Sequence, residues 1–208
     1  MREANLKPKT KAEQEKNKNI GCRCITFDGI REVEGEDRTF ELSFSSEEPY
    51  TRWFGTEILD HSPGAIDLSR LNEIGVLLFN HMTGYVCGPI HSAWLSGNRG
   101  MAKVSFDSDE AAELIHQKVK SGTLKATSVR YTVDAWEDVA AGKTSADGKY
   151  TGPCSIARKW TPLEISIVSV PADPTVGVGR SFDAEEAPET VKTLSISECL
   201  TQINQNLS

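Results

Sequence analysis

The sequence has no long apolar run. No segment approaches the roughly 18 apolar residues that a membrane-crossing helix needs. The opening MREANLKPKTKAEQEKNKN also offers no apolar stretch fit for the core of a signal peptide, so a soluble chain not exported by that route is expected. A surplus of positive charge is missing too. Lys and Arg number 23 against 30 Asp and Glu, a formal charge of -7, which leaves no basic excess to displace counterions from phosphate backbones or anionic lipid. Neither nucleic acid nor membrane is an expected partner. Paired cysteines are lacking as well: Cys22, Cys24, Cys87, Cys154 and Cys199 are odd in number and irregular in spacing, which fits a reducing compartment. No CxxC pair and no HExxH occurs, and the set His81, Cys87 and His91 matches no common zinc arrangement. No metal or cofactor is expected, and no internal repeat is visible.

What is present is enough apolar material for one core. With 38% apolar residues in 208, about 150 residues can fold as one domain with tails left over. Residues 1–19 are Lys-rich and almost free of large apolar side chains, so they read as a disordered basic arm. A folded domain is expected over 20–180. Beyond it, 181–208 reads as an acidic linker, SFDAEEAPET, and a short amphipathic helix with Ile196, Leu200, Ile203 and Leu207 at helical spacing. Such a helix is marginal alone and should pack on another surface.

Within the domain, short runs rich in β-branched and aromatic residues alternate with Gly, Pro, Asn and Asp. They are CRCITFD, TFELSF, YTRWF, GVLLFNH, YVCGPIHSAWL, MAKVSF, ATSVRYTVDAW, SIARKW and PLEISIVSV, which predict a mostly antiparallel β domain. A helix is predicted over 109–120, with Ala111, Leu114, Ile115 and Val119 on its apolar face and Gly122 at its stop. The stretch AAGKTSADGKYTG predicts a mobile loop.

Single residues carry little chemistry when read alone. His81 closes a buried strand before a Thr-Gly turn, where one ring nitrogen can face a site and the other be held from behind. His61, His91 and His116 are weaker candidates, the last on the predicted helix. Cys22 and Cys24 alternate onto one face of a strand and read as core packing. Ser128 is an ordinary strand serine. Glu164 stands in an otherwise apolar strand, where an unpaired charge is costly, so it needs a partner such as Arg130, Arg158 or Lys159, or must face solvent.

The order FNH, then KSGTLKATSVRY, then PLEISIVSVPADP resembles the prohead proteases of tailed bacteriophages. Their domains carry an Asn-His pair, a Gly-x-Leu-x-x-x-Ser segment and a Leu-Glu-x-Ser-x-Val-x-x-Pro-Ala strand. The resemblance spans roughly residues 20–180. Because that family is similar to the herpesvirus assemblins, it implies an α+β fold, mainly an antiparallel β-barrel with a few peripheral helices. It also implies a serine endopeptidase with Ser128 as nucleophile, His81 as general base and Glu164 as third member, Asp134 or Ser166 being the alternatives for that last role. The assemblin paired-arginine loop has no counterpart in PADPTVGVGR, which leaves Arg130 or Arg180 as stand-ins. The implied substrates are major capsid protein and scaffold segments, and the chain itself, inside an assembling prohead in the host cytoplasm. Assemblins act as dimers, so a homodimer is implied. A non-enzymatic scaffold or capsid-assembly protein that keeps the protease fold is the alternative.

Overall fold

A computed structural model describes residues 20–26, 30–52 and 54–170, and for 24–26 the backbone alone. The expected basic arm, the acidic linker, the C-terminal helix and the domain end near residue 180 lie outside the described residues. Among the described residues ten strands form: β1 (Ile20–Thr26), β2 (Arg31–Glu32), β3 (Thr39–Ser46), β4 (Tyr50–Arg52), β5 (Gly55–Leu59), β6 (Val76–Phe79), β7 (Met82–Ser96), β8 (Arg99–Ser105), β9 (Ala126–Val139) and β10 (Cys154–Val168). The helices among the described residues are α1 (Ser69–Ile74) and α2 (Glu110–Lys120). The α+β class expected from sequence therefore holds, with the β component dominant.

The strands follow the path β1-β9-β10-β6-β7-β8-β3-β2, with β5 added to β10 and β4 to β5. Most pairings are antiparallel, but β5 and β6 run parallel to β10. Here the expected barrel needs correction: the ladder is open, ending at β1 on one side and β2 on the other. Where β9 approaches β3, a side-chain bond stands in for strand pairing. A register irregularity between Ser43 and Ser45 interrupts β3, and in place of a ladder the Thr127 hydroxyl of β9 donates to the Ser43 carbonyl at 2.7 Å. A bulge of this kind bends its strand and ends regular pairing.

Alternation along β9 sends Val129, Tyr131 and Val133 into the core and leaves Ser128 and Arg130 on the other face. Beside it β10 is buried on both faces over Glu164–Val168, with Ile165 and Ile167 in the core and Glu164 and Ser166 on the other face. The core centres on Trp160, Tyr131, Phe44, Leu42 and Leu59, with the Tyr131 and Trp160 rings edge-to-face at 5.6 Å. At Gly88 on β7 an added Cβ would collide with the Ser105 carbonyl oxygen, so the crossing of β7 and β8 needs a glycine.

Helix α2 begins where expected, its first N–H groups capped by Asp109, which accepts from Ala111 N at 3.1 Å and Ala112 N at 3.2 Å. Its buried face is rotated from the expected one. Ala112, Ile115, His116 and Val119 face inward, while Leu114 is 53% exposed. His116 takes the inner place because its ring packs between Phe40 and Phe106 at 5.8 and 5.5 Å. The 140–152 loop is tied down rather than free: Arg158 binds Asp147 at 2.8 Å, and Ser145 N donates to Tyr150 O at 2.8 Å.

Candidate active site

The β6–β7 connection is a two-residue hairpin, since Phe79 pairs with Met82. Its central residues are Asn80 and His81, both with positive φ, 51° and 59°. A type I′ turn demands this pair of left-handed residues and ordinarily takes Asn-Gly. His81 thus occupies the glycine position, where an L side chain costs roughly 1–2 kcal/mol. The expected Thr-Gly turn is corrected accordingly: the chain reverses at His81 itself.

The end of β10 holds this turn. Asn80 N donates to Ile167 O at 2.9 Å, Ser169 N to Asn80 Oδ1 at 2.9 Å, and His81 N to Ser166 Oγ at 3.1 Å. The imidazole then projects across β10 to β9. His81 Nδ1 lies 2.5 Å from Glu164 Oε1, and Nε2 lies 2.8 Å from Ser128 Oγ. Because a carboxylate only accepts, the proton belongs on Nδ1 and the lone pair on Nε2. The Ser128 hydroxyl accordingly has two acceptors, His81 Nε2 and the Arg23 carbonyl at 3.1 Å.

Register explains how residues so distant in sequence meet. Ser166 pairs with Ser128, and Glu164 with Arg130, across β10 and β9. All four therefore stand on one face. The second carboxylate oxygen of Glu164 accepts from Ser166 Oγ at 2.7 Å. Of the sequence-expected ion pairs for Glu164, Arg130 alone approaches, its Nε at 4.0 Å. Arg158 goes instead to Asp60, Glu137 and Asp147. Ser128 is 3% exposed and Ser166 0%, while the His81 and Arg130 side chains are 20% and 39% exposed.

Thus His81, Ser128 and Glu164 come together in one hydrogen-bonded line. Asp134 stays exposed on β9, and Ser166 touches Glu164 rather than replacing it. The supporting part of Asn80 had a usable sequence signal, since an Asn-x pair between two β-like runs marks a tight hairpin. Cys22 also departs from expectation. It pairs with Arg130 and is half-buried on the Ser128 face rather than packed in the core.

The remaining histidines do other work. His61 is buried, its Nε2 2.8 Å from Ser45 Oγ and its Nδ1 donating to Leu59 O at 2.9 Å. This second Ser–His pair has a carbonyl where His81 has a carboxylate, and Ser45 is sealed at 0% exposure. His91 is exposed and meets Ser105 Oγ at 2.9 Å. Cys87 is buried, and burial pushes its thiol up to about 12, so it carries a proton near neutrality. Among the described residues no group of three or more His, Cys, Asp or Glu side chains is placed to hold a metal ion.

No family model matches the chain. It is similar to the major capsid protein of Halomonas phage phiHAP-1, with 38% identity over 161 residues covering 76% of this chain. The chain spans only about a quarter of that relative's length, 26%. Among solved structures it is similar to the bacteriophage T4 capsid assembly protease, gp21, with a TM-score of 0.48 and 12% identity, covering 74% of this chain and 98% of that one.

Proposed function

We propose that the chain is a serine endopeptidase in which Ser128 is the nucleophile, His81 the general base and Glu164 the carboxylate that orients and stabilises His81. The observation that carries this reading is the unbroken line from Ser128 Oγ through the imidazole to Glu164 Oε1, at 2.8 and 2.5 Å. A serine hydroxyl is a weak nucleophile near neutrality and needs a base within hydrogen-bond reach. As Ser128 Oγ bonds to a peptide carbonyl carbon, its proton passes to His81 Nε2, and Glu164 stabilises the imidazolium through Nδ1–H. Collapse of the tetrahedral intermediate breaks the C–N bond, and His81 returns the proton to the departing amine. Water, deprotonated by the same imidazole, then hydrolyses the acyl-enzyme to a free acid and restores Ser128.

The particular role we propose is cleavage of capsid and scaffold segments, and of its own chain, during maturation of a phage prohead in the host cytoplasm. Two observations support it: the three ordered motifs that resemble prohead proteases, and the likeness to a longer chain named a major capsid protein. A homodimer, which the resemblance to the prohead proteases implies through the assemblins, belongs to the same reading. The name of that relative also favours a second reading, a non-enzymatic capsid-assembly protein that keeps the fold.

One experiment separates the two. Wild type and Ser128→Ala are each expressed with the phage's capsid protein, and the products are sized by mass spectrometry. The peptidase reading expects shortened capsid or self-cleaved products from wild type alone. Identical products from both chains would remove the catalytic serine and leave the assembly reading.

A further inference from the structure

Resting on the reading above, we propose that Ser166 is a positioning residue that locks Glu164 and His81 into one working geometry. Its hydroxyl both donates and accepts. The proton goes to Glu164 Oε2 at 2.7 Å, and a lone pair accepts the backbone N–H of His81 at 3.1 Å. One side chain, 0% exposed, therefore grips both ends of the His81–Glu164 pair from behind. It stands on β10 between Leu78 of β6 and Ser128 of β9 in register, so it is anchored by strands on both sides.

Two consequences follow from this placement. By taking Oε2, Ser166 turns the carboxylate so that Oε1 faces His81 Nδ1. By accepting His81 N–H, it satisfies the backbone of a residue held at φ 59°, a conformation that persists only where its surroundings over-determine it. There is a specific competitor for Glu164. Arg130 Nε stands 4.0 Å from Oε1, and without Ser166 the carboxylate is free to rotate toward that guanidinium and away from the imidazole. The base would then lose its fixed Nδ1–H tautomer, and Nε2 would accept the Ser128 proton only part of the time.

The test uses the full chain and a fluorophosphonate probe, which bonds covalently to an activated serine. Wild type is expected to label, and Ser128→Ala not to. Ser166→Ala should label about tenfold or more slowly, while Ser166→Thr, which keeps a hydroxyl, should regain most of the rate. Ser166→Cys, close in volume but a weak donor, should be slow like the alanine variant and covers the case in which the latter does not fold. In a Glu164→Gln background, adding Ser166→Ala should cost clearly less than it does in wild type, because the part of its effect that runs through Glu164 is already lost. Labelling of Ser166→Ala and Ser166→Cys at the wild-type rate overturns the proposal, as does an Ala effect that multiplies fully onto Glu164→Gln. If wild type itself fails to label, the nucleophile reading fails, and the proposal is then judged by NMR. The His81 Nδ1 proton should resonate far downfield in wild type and be lost in Ser166→Ala; its retention unchanged overturns the positioning role.

Discussion

At the scale of single residues, the candidate site stores strain where it needs aim. His81 sits in the left-handed region at the position that a type I′ turn gives to glycine. Its backbone conformation points the ring along β10 and toward β9, a direction no extended residue on β6 or β7 provides. The strain makes a prediction that inverts the usual effect of glycine. His81→Gly and His81→Ala both remove the imidazole and should both be inactive. The glycine variant should nonetheless melt a few degrees higher, roughly 1 kcal/mol more stable, because alanine must still hold positive φ. Differential scanning calorimetry of the two reads this directly, and an alanine variant at least as stable as glycine would contradict it. Ser128 shows the opposite case. Nothing about a strand serine marks it locally, and its place in the site comes from register with Ser166.

At the scale of elements, β10 organises the molecule. Its C-terminal half carries Glu164 and Ser166, and holds the Asn80–His81 turn through Ile167. Its N-terminal half carries Arg158, which binds Asp60 at 2.8 Å, Asp147 at 2.8 Å and Glu137 at 2.6 Å. Burial alone would raise the Asp60 carboxyl, but hydrogen bonds from Arg158 and Ser62 outweigh it and hold the group below its ordinary 3.8. Glu47 behaves alike. Burial opposes its ionisation, yet Lys149 and the His61 N–H carry it below 4.5. A depressed carboxyl stabilises the fold fully above its unfolded value and loses that contribution as pH falls through the folded value. Melting temperature should therefore begin to decline below about pH 6.5, where buried His61, its pKa lowered by desolvation, takes up a proton only when unfolded, and decline more steeply below about pH 4.5 as the two carboxyls protonate. Arg158→Met should start lower at neutral pH by about 2 kcal/mol or more, since it strands buried Asp60, and should show a shallower acid decline. Melts by circular dichroism across this range check both points, and a parallel acid decline in the variant would remove Arg158 from the account. These ties also explain why the 140–152 segment looked like a free loop from composition. Its Gly, Ser and Asp content is that of a turn, whereas its anchors, Arg158 and Glu47, lie elsewhere in the chain.

At the scale of the whole molecule, the sheet curls far enough to bring β3 against β9 but does not close. The junction is made by Thr127 Oγ1 donating to Ser43 O at 2.7 Å beside the irregularity in β3. Thr127→Val keeps the shape of the side chain and removes the donor, leaving a buried carbonyl with less hydrogen bonding. A loss of about 1–2 kcal/mol is expected, several degrees in melting temperature for a chain of this size. An unchanged melt would mean the junction is held by packing alone. Because Thr127 precedes Ser128, the same variant is expected to slow fluorophosphonate labelling of Ser128 as well.

Much of this was legible from residues alone. Strand segments followed from β-branched and aromatic content, and α2 from its helical apolar spacing and Gly122 stop, because those signals act within a few residues of where they are written. The residue types of the site, and their order in three motifs, were legible too. Tertiary structure alone decided the rest. It rotated α2 to bury His116 in place of Leu114, since the aromatic rings that receive it come from β3 and the β8–α2 connection. It left the sheet open, β9 meeting β3 through a side-chain bond and not through a ladder. It also distinguished two Ser–His pairs of equal length, 2.8 Å each. Ser45–His61 is sealed and backed by a carbonyl, whereas Ser128–His81 is backed by Glu164 and meets solvent through the imidazole. The partners of His81 stand 47 and 83 residues away, and only strand register, a property of the assembled sheet, brings them within reach.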